Sequence, residues 1–186
     1  MIFPSPFVRI CVFLFCFPAA FSSAQGRHAT LTPAEADQLR DTAMEPDQRL
    51  KLFVKFTRAR LASLEQMRSD PKVTDRGKQT HDQLEEFLAL YDELNDNVDT
   101  YAGRKNDIRK PLKAVIEADT EFQAKLCALK DAAGIQEHEA KEYEFVLSNA
   151  IDAVDSGADD HRKLLAEEEE AAKHKKKKAS LNCQEC

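Results

Sequence analysis

The sequence predicts an all-α protein: an elongated antiparallel, coiled-coil-like bundle of three to four long helices, behind a cleaved signal peptide. Three observations carry that expectation. Between residues 107 and 134, Ile108, Leu112, Val115, Asp119, Phe122, Leu126, Leu129 and Ala133 are spaced 4-3-4-3-4-3-4. A helix with 3.6 residues per turn returns all of these to one face. Stripes of the same rhythm lie on either side of this stretch, and such seams must cover one another. Glycine is scarce, at 5 of 186 residues, while Ala, Glu, Lys, Leu and Asp dominate, a composition of long helices. No segment alternates with the two-residue period of a strand.

Residues 1–24 read as an export signal rather than as part of the fold. Arg9 precedes an apolar run over residues 10–17, and Ser22 and Ala24 supply the small side chains of a cleavage site. The run is shorter than the roughly 20 residues of a membrane span and is followed by Pro18, so the mature form is expected to have no transmembrane span. Residues 25–31 read as a flexible leader, 32–172 as the bundle domain and 173–186 as a basic, cysteine-containing tail. Cleavage removes one positive charge and no acid, so the net charge of −6 becomes −7. An acidic body is a poor match for nucleic acid, whose phosphates require concentrated Lys and Arg.

The first mature helix should open at Thr32, with Pro33 at its first position and Glu35 three residues on. In this capping box the hydroxyl and the carboxylate each accept from an orphan backbone N–H. It should stop near Met44, because Pro46 disfavours helix at Glu45. A second helix runs from Pro46 to about Ser69, burying Leu50, Phe53, Val54, Leu61, Leu64 and Met67. Around that stripe Arg49, Lys51, Lys55, Arg58 and Arg60 form the most basic face of the body. Residues 70–77 read as a loop, and a third helix covers about 78–102. Its seam is His81, Leu84, Leu88, Tyr91, Leu94, Val98 and Tyr101, widened by Phe87. Its outer face is acidic (Asp82, Glu85, Glu86, Asp92, Glu93, Asp96, Asp99) and Gly103 caps it. The helix at 107–134 takes Pro111 in its first turn, where a missing N–H costs least. The last helix starts near Gln136, passes Gly157, where a kink is possible, and continues into Glu167–Glu170 and the lysine block.

Asp119 is the odd member of the central seam. A seven-residue pattern drifts about 20° per heptad on a straight helix, which favours a half-solvated place at the seam's edge. If buried instead, it needs a partner among Tyr91, Tyr101, Tyr143, His161 or an arginine, and could then set helix register. Two pairs have the one-turn spacing that lets an imidazole and a carboxylate share a metal: His81 with Glu85 and His138 with Glu142. Neither has the Glu-x-x-His spacing of a di-iron bundle. Cys183 and Cys186 can form a disulfide, share a metal or link two chains, or simply belong to a flexible tail; Cys127 leaves an odd count in the mature chain. Lys173, Lys175, Lys176, Lys177 and Lys178 can contact an anionic surface, each worth about 1 kcal/mol there. With no large apolar residue beside them, they cannot insert.

Leu31, Thr32, Pro33, Ala34 and Glu35 also resemble the short motif of the LTxxQ-type periplasmic stress chaperones, with Glu35 where that family has Gln. The resemblance spans five positions, occurs once, and implies a small exported all-α protein with a chaperone-like role. Nothing in the residue pattern supports catalysis: there is no Gly-rich phosphate loop, no nucleophile elbow, and no Ser or Cys beside a His base. No cofactor is expected. The sequence therefore points to a non-enzymatic, exported bundle, periplasmic or secreted, that binds a protein, lipid or cell-wall partner of the envelope. The alternatives are a small-ligand or metal-binding bundle, or a chaperone-like protein. Leftover apolar stripe could also pair two copies into a homo-oligomer.

Overall fold

The computed structural model describes residues 30–133 and 137–182, and every described element is helical. The signal segment, most of the leader, and Cys183 and Cys186 lie outside the described residues. The helices are α1 (Pro33–Asp41), α2 (Pro46–Ser69), α3 (Arg76–Gly103), α4 (Arg109–Ala133), a single turn α5 (Glu137–Ala140) and α6 (Glu144–Asn182). The all-α bundle expected from the periodicity is what the chain forms.

Four long helices build the body. Arg49 of α2 reaches Asn97 of α3 while Arg68 reaches Thr80, so these two run antiparallel. Lys113 of α4 pairs with Glu169 of α6, and Gln123 with Asp155, so this pair is antiparallel too. The two hairpin-like pairs meet with α2 beside α4 and α3 beside α6. Arg58 binds Glu121 and Glu65 binds Lys125, so α2 and α4 run parallel. The chain neighbours α3 and α4 therefore lie across the bundle from each other, and the connection at 104–108 crosses its end. This diagonal step brings α3, α4 and α6 together around Asp119.

Local chemistry sets most helix ends. Thr32 accepts from the Glu35 N–H at 3.2 Å and Glu35 accepts from the Thr32 N–H at 2.8 Å, the expected capping box. α1 stops at Asp41, three residues before Met44. Gly103 remains inside α3, and the chain leaves through Lys105, whose φ of 59° is left-handed. The N–H of Asn106 bonds Tyr101 O and that of Lys105 bonds Ala102 O, a Schellman closure with lysine where glycine is usual. Pro111 does sit in the first turn of α4. The last helix departs from the expected single run: a turn at 141–143 separates α5 from α6. There Tyr143 is buried with Arg68 over its ring at 5.3 Å, and Arg68 also binds Glu139 at 2.7 Å. Glu139 on α5 and Tyr143 at the end of the turn both meet α2 through Arg68.

The core is continuous along the four helices and includes Phe53, Leu64, Leu84, Phe87, Leu94, Leu112, Phe122, Leu126 and Leu147. Phe56, Leu90 and Ala118 join it, since helices packed on two sides bury a wider stripe than a two-helix seam. Among the described residues only Met44 and Phe145 are large apolar side chains left exposed. Among the described residues no helix is long and apolar enough to cross a membrane.

Candidate functional site

Asp119 lies on α4, facing α6 beside it and α3 across the core, and it is completely buried. Its Oδ1 accepts from the Tyr91 hydroxyl at 2.9 Å, and its Oδ2 lies 2.9 Å from His161 Nδ1. The expected half-solvated placement at the seam's edge is thus corrected. One heptad of drift cannot expose a position covered from two sides, and two hydrogen bonds offset the carboxylate's desolvation.

Each partner is itself held in place. The Tyr91 ring stacks near-parallel on Phe87 at 6.0 Å and meets Phe122 edge-on at 6.2 Å. Burial, then the Asp119 charge, holds its phenol well above the ordinary range, so it stays protonated and donates. Gly157 makes room for it, because a Cβ there would sit 2.4 Å from the Tyr91 hydroxyl oxygen. The helix continues unbroken through this glycine as α6, and its role is close approach. His161, one turn further along α6, is 4% exposed. A carboxylate at Nδ1 orients the ring with a hydrogen on that nitrogen, and in the neutral imidazole Nε2 is then the acceptor.

The imidazole lines a groove of about 440 Å³ between α3 and α6, together with Asp92, Asn95, Asp99, Gly157 and Asp160. Asn95 Oδ1 is buried there without a hydrogen-bond partner. Burial and then Asp96 push the Asp92 carboxyl above its usual range. Ser156 also borders the groove, but no hydrogen bond joins it to His161, so a serine–histidine nucleophile is not assembled. The lining is rich in lone pairs and poor in donors, with Lys163 its one cation.

The other sequence candidates fall elsewhere. His81 and Glu85 do approach, at 3.9 Å, and with Asp82 form the single group of three such donors within reach of one ion among the described residues. Lys78 already binds Asp82 there at 2.6 Å. His138 is exposed on α5, whereas the Glu142 carboxylate lies over Gly77 in the first turn of α3, where the helix dipole favours negative charge. The basic face of α2 is largely engaged within the bundle. Arg49 binds Leu39 O and Asn97, Arg58 binds Glu121, and Arg60 binds Glu35, Glu86 and Thr30 O. Lys173 and Lys175 are exposed on α6 beyond the start of α4, while the side chains of Lys176, Lys177 and Lys178 lie outside the described residues. Cys127 is exposed.

Asp119, Tyr91 and His161 were all legible as a possible set; the groove was not. Its signal was Gly157, a helical glycine one turn before His161, which marks where another side chain passes over the backbone. The fold and this site define a class: a four-helix bundle with a hydrogen-bonded Tyr–Asp–His network closed inside it. Comparisons with protein families, with curated proteins and with solved structures find no match to this chain. The five residues that resemble the LTxxQ motif have a local task in this structure, capping α1 and tying it to Arg60 at 2.7 Å.

Proposed function

We propose that the protein is exported, to the periplasm or beyond, and acts without catalysis by binding a cationic partner of the cell envelope. One observation supports this reading: the arginines of α2 are held by the bundle's own acceptors, whereas six acids of α3 and α6 are left without an ion pair. Asp92, Glu93, Asp96, Asp99, Asp160 and Glu167 form no ion pair among the described residues. An acidic face whose carboxylates are not held in ion pairs speeds encounter with cations and is sensitive to salt. A second contact, by the exposed lysines of α6 with anionic lipid or wall polymer, is favoured by their position beyond the start of α4.

The test uses the chain lacking residues 1–24 with a fluorescein-labelled oligolysine peptide and, separately, phosphatidylglycerol vesicles. Peptide anisotropy should show binding that weakens about tenfold in high salt and is lost when Glu85, Glu93 and Asp96 are neutralised. Vesicle co-sedimentation should disappear when residues 173–186 are removed. Peptide binding indifferent to both salt and neutralisation defeats the acidic-face reading.

A further inference from the structure

We propose that the groove between α3 and α6 is a binding site for a small alkyl diamine, with the Asp119-oriented imidazole of His161 at its floor. The inference narrows the acidic-face reading, and rests on it, by naming one site and one class of ligand. The acids alone would not make a site. What distinguishes this groove is a deeply buried side chain turned into it: His161 is 4% exposed, its Nδ1 is engaged by Asp119 at 2.9 Å, and no hydrogen bond reaches its Nε2 among the described residues. Asn95 Oδ1 beside it is likewise without a partner. The Asn95 oxygen is an acceptor awaiting a donor, and so is Nε2 in the neutral ring whose Nδ1 hydrogen is directed at Asp119.

Size and donor arrangement choose between a metal ion and an organic cation. The groove, at about 440 Å³, holds far more than one ion. Around His161 no three ligand atoms converge; the one such group among the described residues is at His81. Acceptors instead extend along the groove. Asp92 and Asp99 are two turns apart on α3, roughly 10 Å at 1.5 Å per residue, and Asp160 and Glu167 repeat that spacing on α6. Two ammonium groups on a short alkyl chain suit acceptors so spread, and Ala153, Gly157 and Leu164 offer apolar surface to the chain between them. Asp119 is the positioning residue, since it fixes which ring nitrogen carries the hydrogen.

The experiment titrates putrescine, with butylamine and zinc as comparison probes, into the chain lacking residues 1–24. It is followed by calorimetry and by long-range ¹H–¹⁵N spectra of the imidazoles. Putrescine should move the His161 Nε2 resonance and bind more tightly than butylamine. Asp92→Asn and Asp160→Asn, both exposed and harmless to the fold, should each weaken it by about tenfold, the worth of one charge-assisted hydrogen bond. Asp119→Asn should place the hydrogen on Nε2, visible in the same spectrum, and weaken putrescine to the same degree. Equal affinity across these variants, or a His161 signal moved by zinc and not by putrescine, overturns the proposal. If putrescine fails while oligolysine still binds, the groove falls and the broader reading stands. If oligolysine fails while putrescine binds as described, the reverse holds.

Discussion

Asp119→Leu removes a carboxylate that satisfies two buried groups at once. It leaves the Tyr91 hydroxyl and His161 Nδ1 without a partner, and we expect a loss of about 3–5 kcal/mol in denaturant unfolding. Asp119→Asn keeps an acceptor for Tyr91 and offers an amide donor to the imidazole, so its loss should be no more than about half as large. A leucine variant as stable as the parent would show that the network contributes nothing to the fold. Gly157→Ala reverses the usual rule for a helix interior. Alanine should gain about 1 kcal/mol of helix propensity, yet its methyl would sit 2.4 Å from the Tyr91 hydroxyl, whose ring Phe87 and Phe122 hold in place. We therefore expect a net destabilisation of about 1–3 kcal/mol, and a lowered melting temperature checks it. The carboxylate and its two eventual partners could be picked out in the chain as residue types on seams. Which of five candidate groups meets Asp119 could not, because that depends on how α3, α4 and α6 are placed around one another.

At the scale of the element, two helix ends make separable predictions. Lys105 closes α3 in a left-handed conformation that disfavours a Cβ, so Lys105→Gly should stabilise the protein by about 1 kcal/mol in thermal unfolding. Glu35 caps α1 and binds Arg60, and that arginine's hydrogen bond is the main cause holding its carboxyl below the ordinary 4.5. A depressed folded-state value adds stability that is complete above the unfolded value and is lost as pH falls through the folded one. Glu35→Gln should therefore cost about 1 kcal/mol near neutrality, and the gap should close as the pH drops below 4.5. Melting temperatures of both proteins across that range are the check. The capping box and Pro111 were readable because caps and prolines act within four residues. The turn at 141–143 was not, since residues 137–147 contain no Pro or Gly to mark it.

For the molecule as a whole, α6 is the longest element, 39 residues against 25 in α4. Its end runs past the Lys113–Glu169 contact at the start of α4. Removing residues 173–186 should leave the melting temperature within about 2 °C, since exposed segments contribute within roughly 0.5 kcal/mol. A larger drop would mean that the lysine end packs on the bundle. Charge is partitioned on the same scale. The arginines of the basic α2 face are taken up by acceptors across the bundle, and carboxylates of α3 and α6 are left without an ion pair among the described residues. Composition reports the total of each sign, but only packing decides which charges neutralise each other.

The all-α class, the four seams, the capping box and the place of Pro111 follow from the chain alone. Helical periodicity and capping are local properties, set by side chains within one or two turns. The diagonal placement of α3 and α4, the burial of Asp119 between Tyr91 and His161, and the groove over Gly157 belong to the tertiary structure. Each needs three helices at a common level, and that is settled by how apolar stripes from distant parts of the chain cover one another.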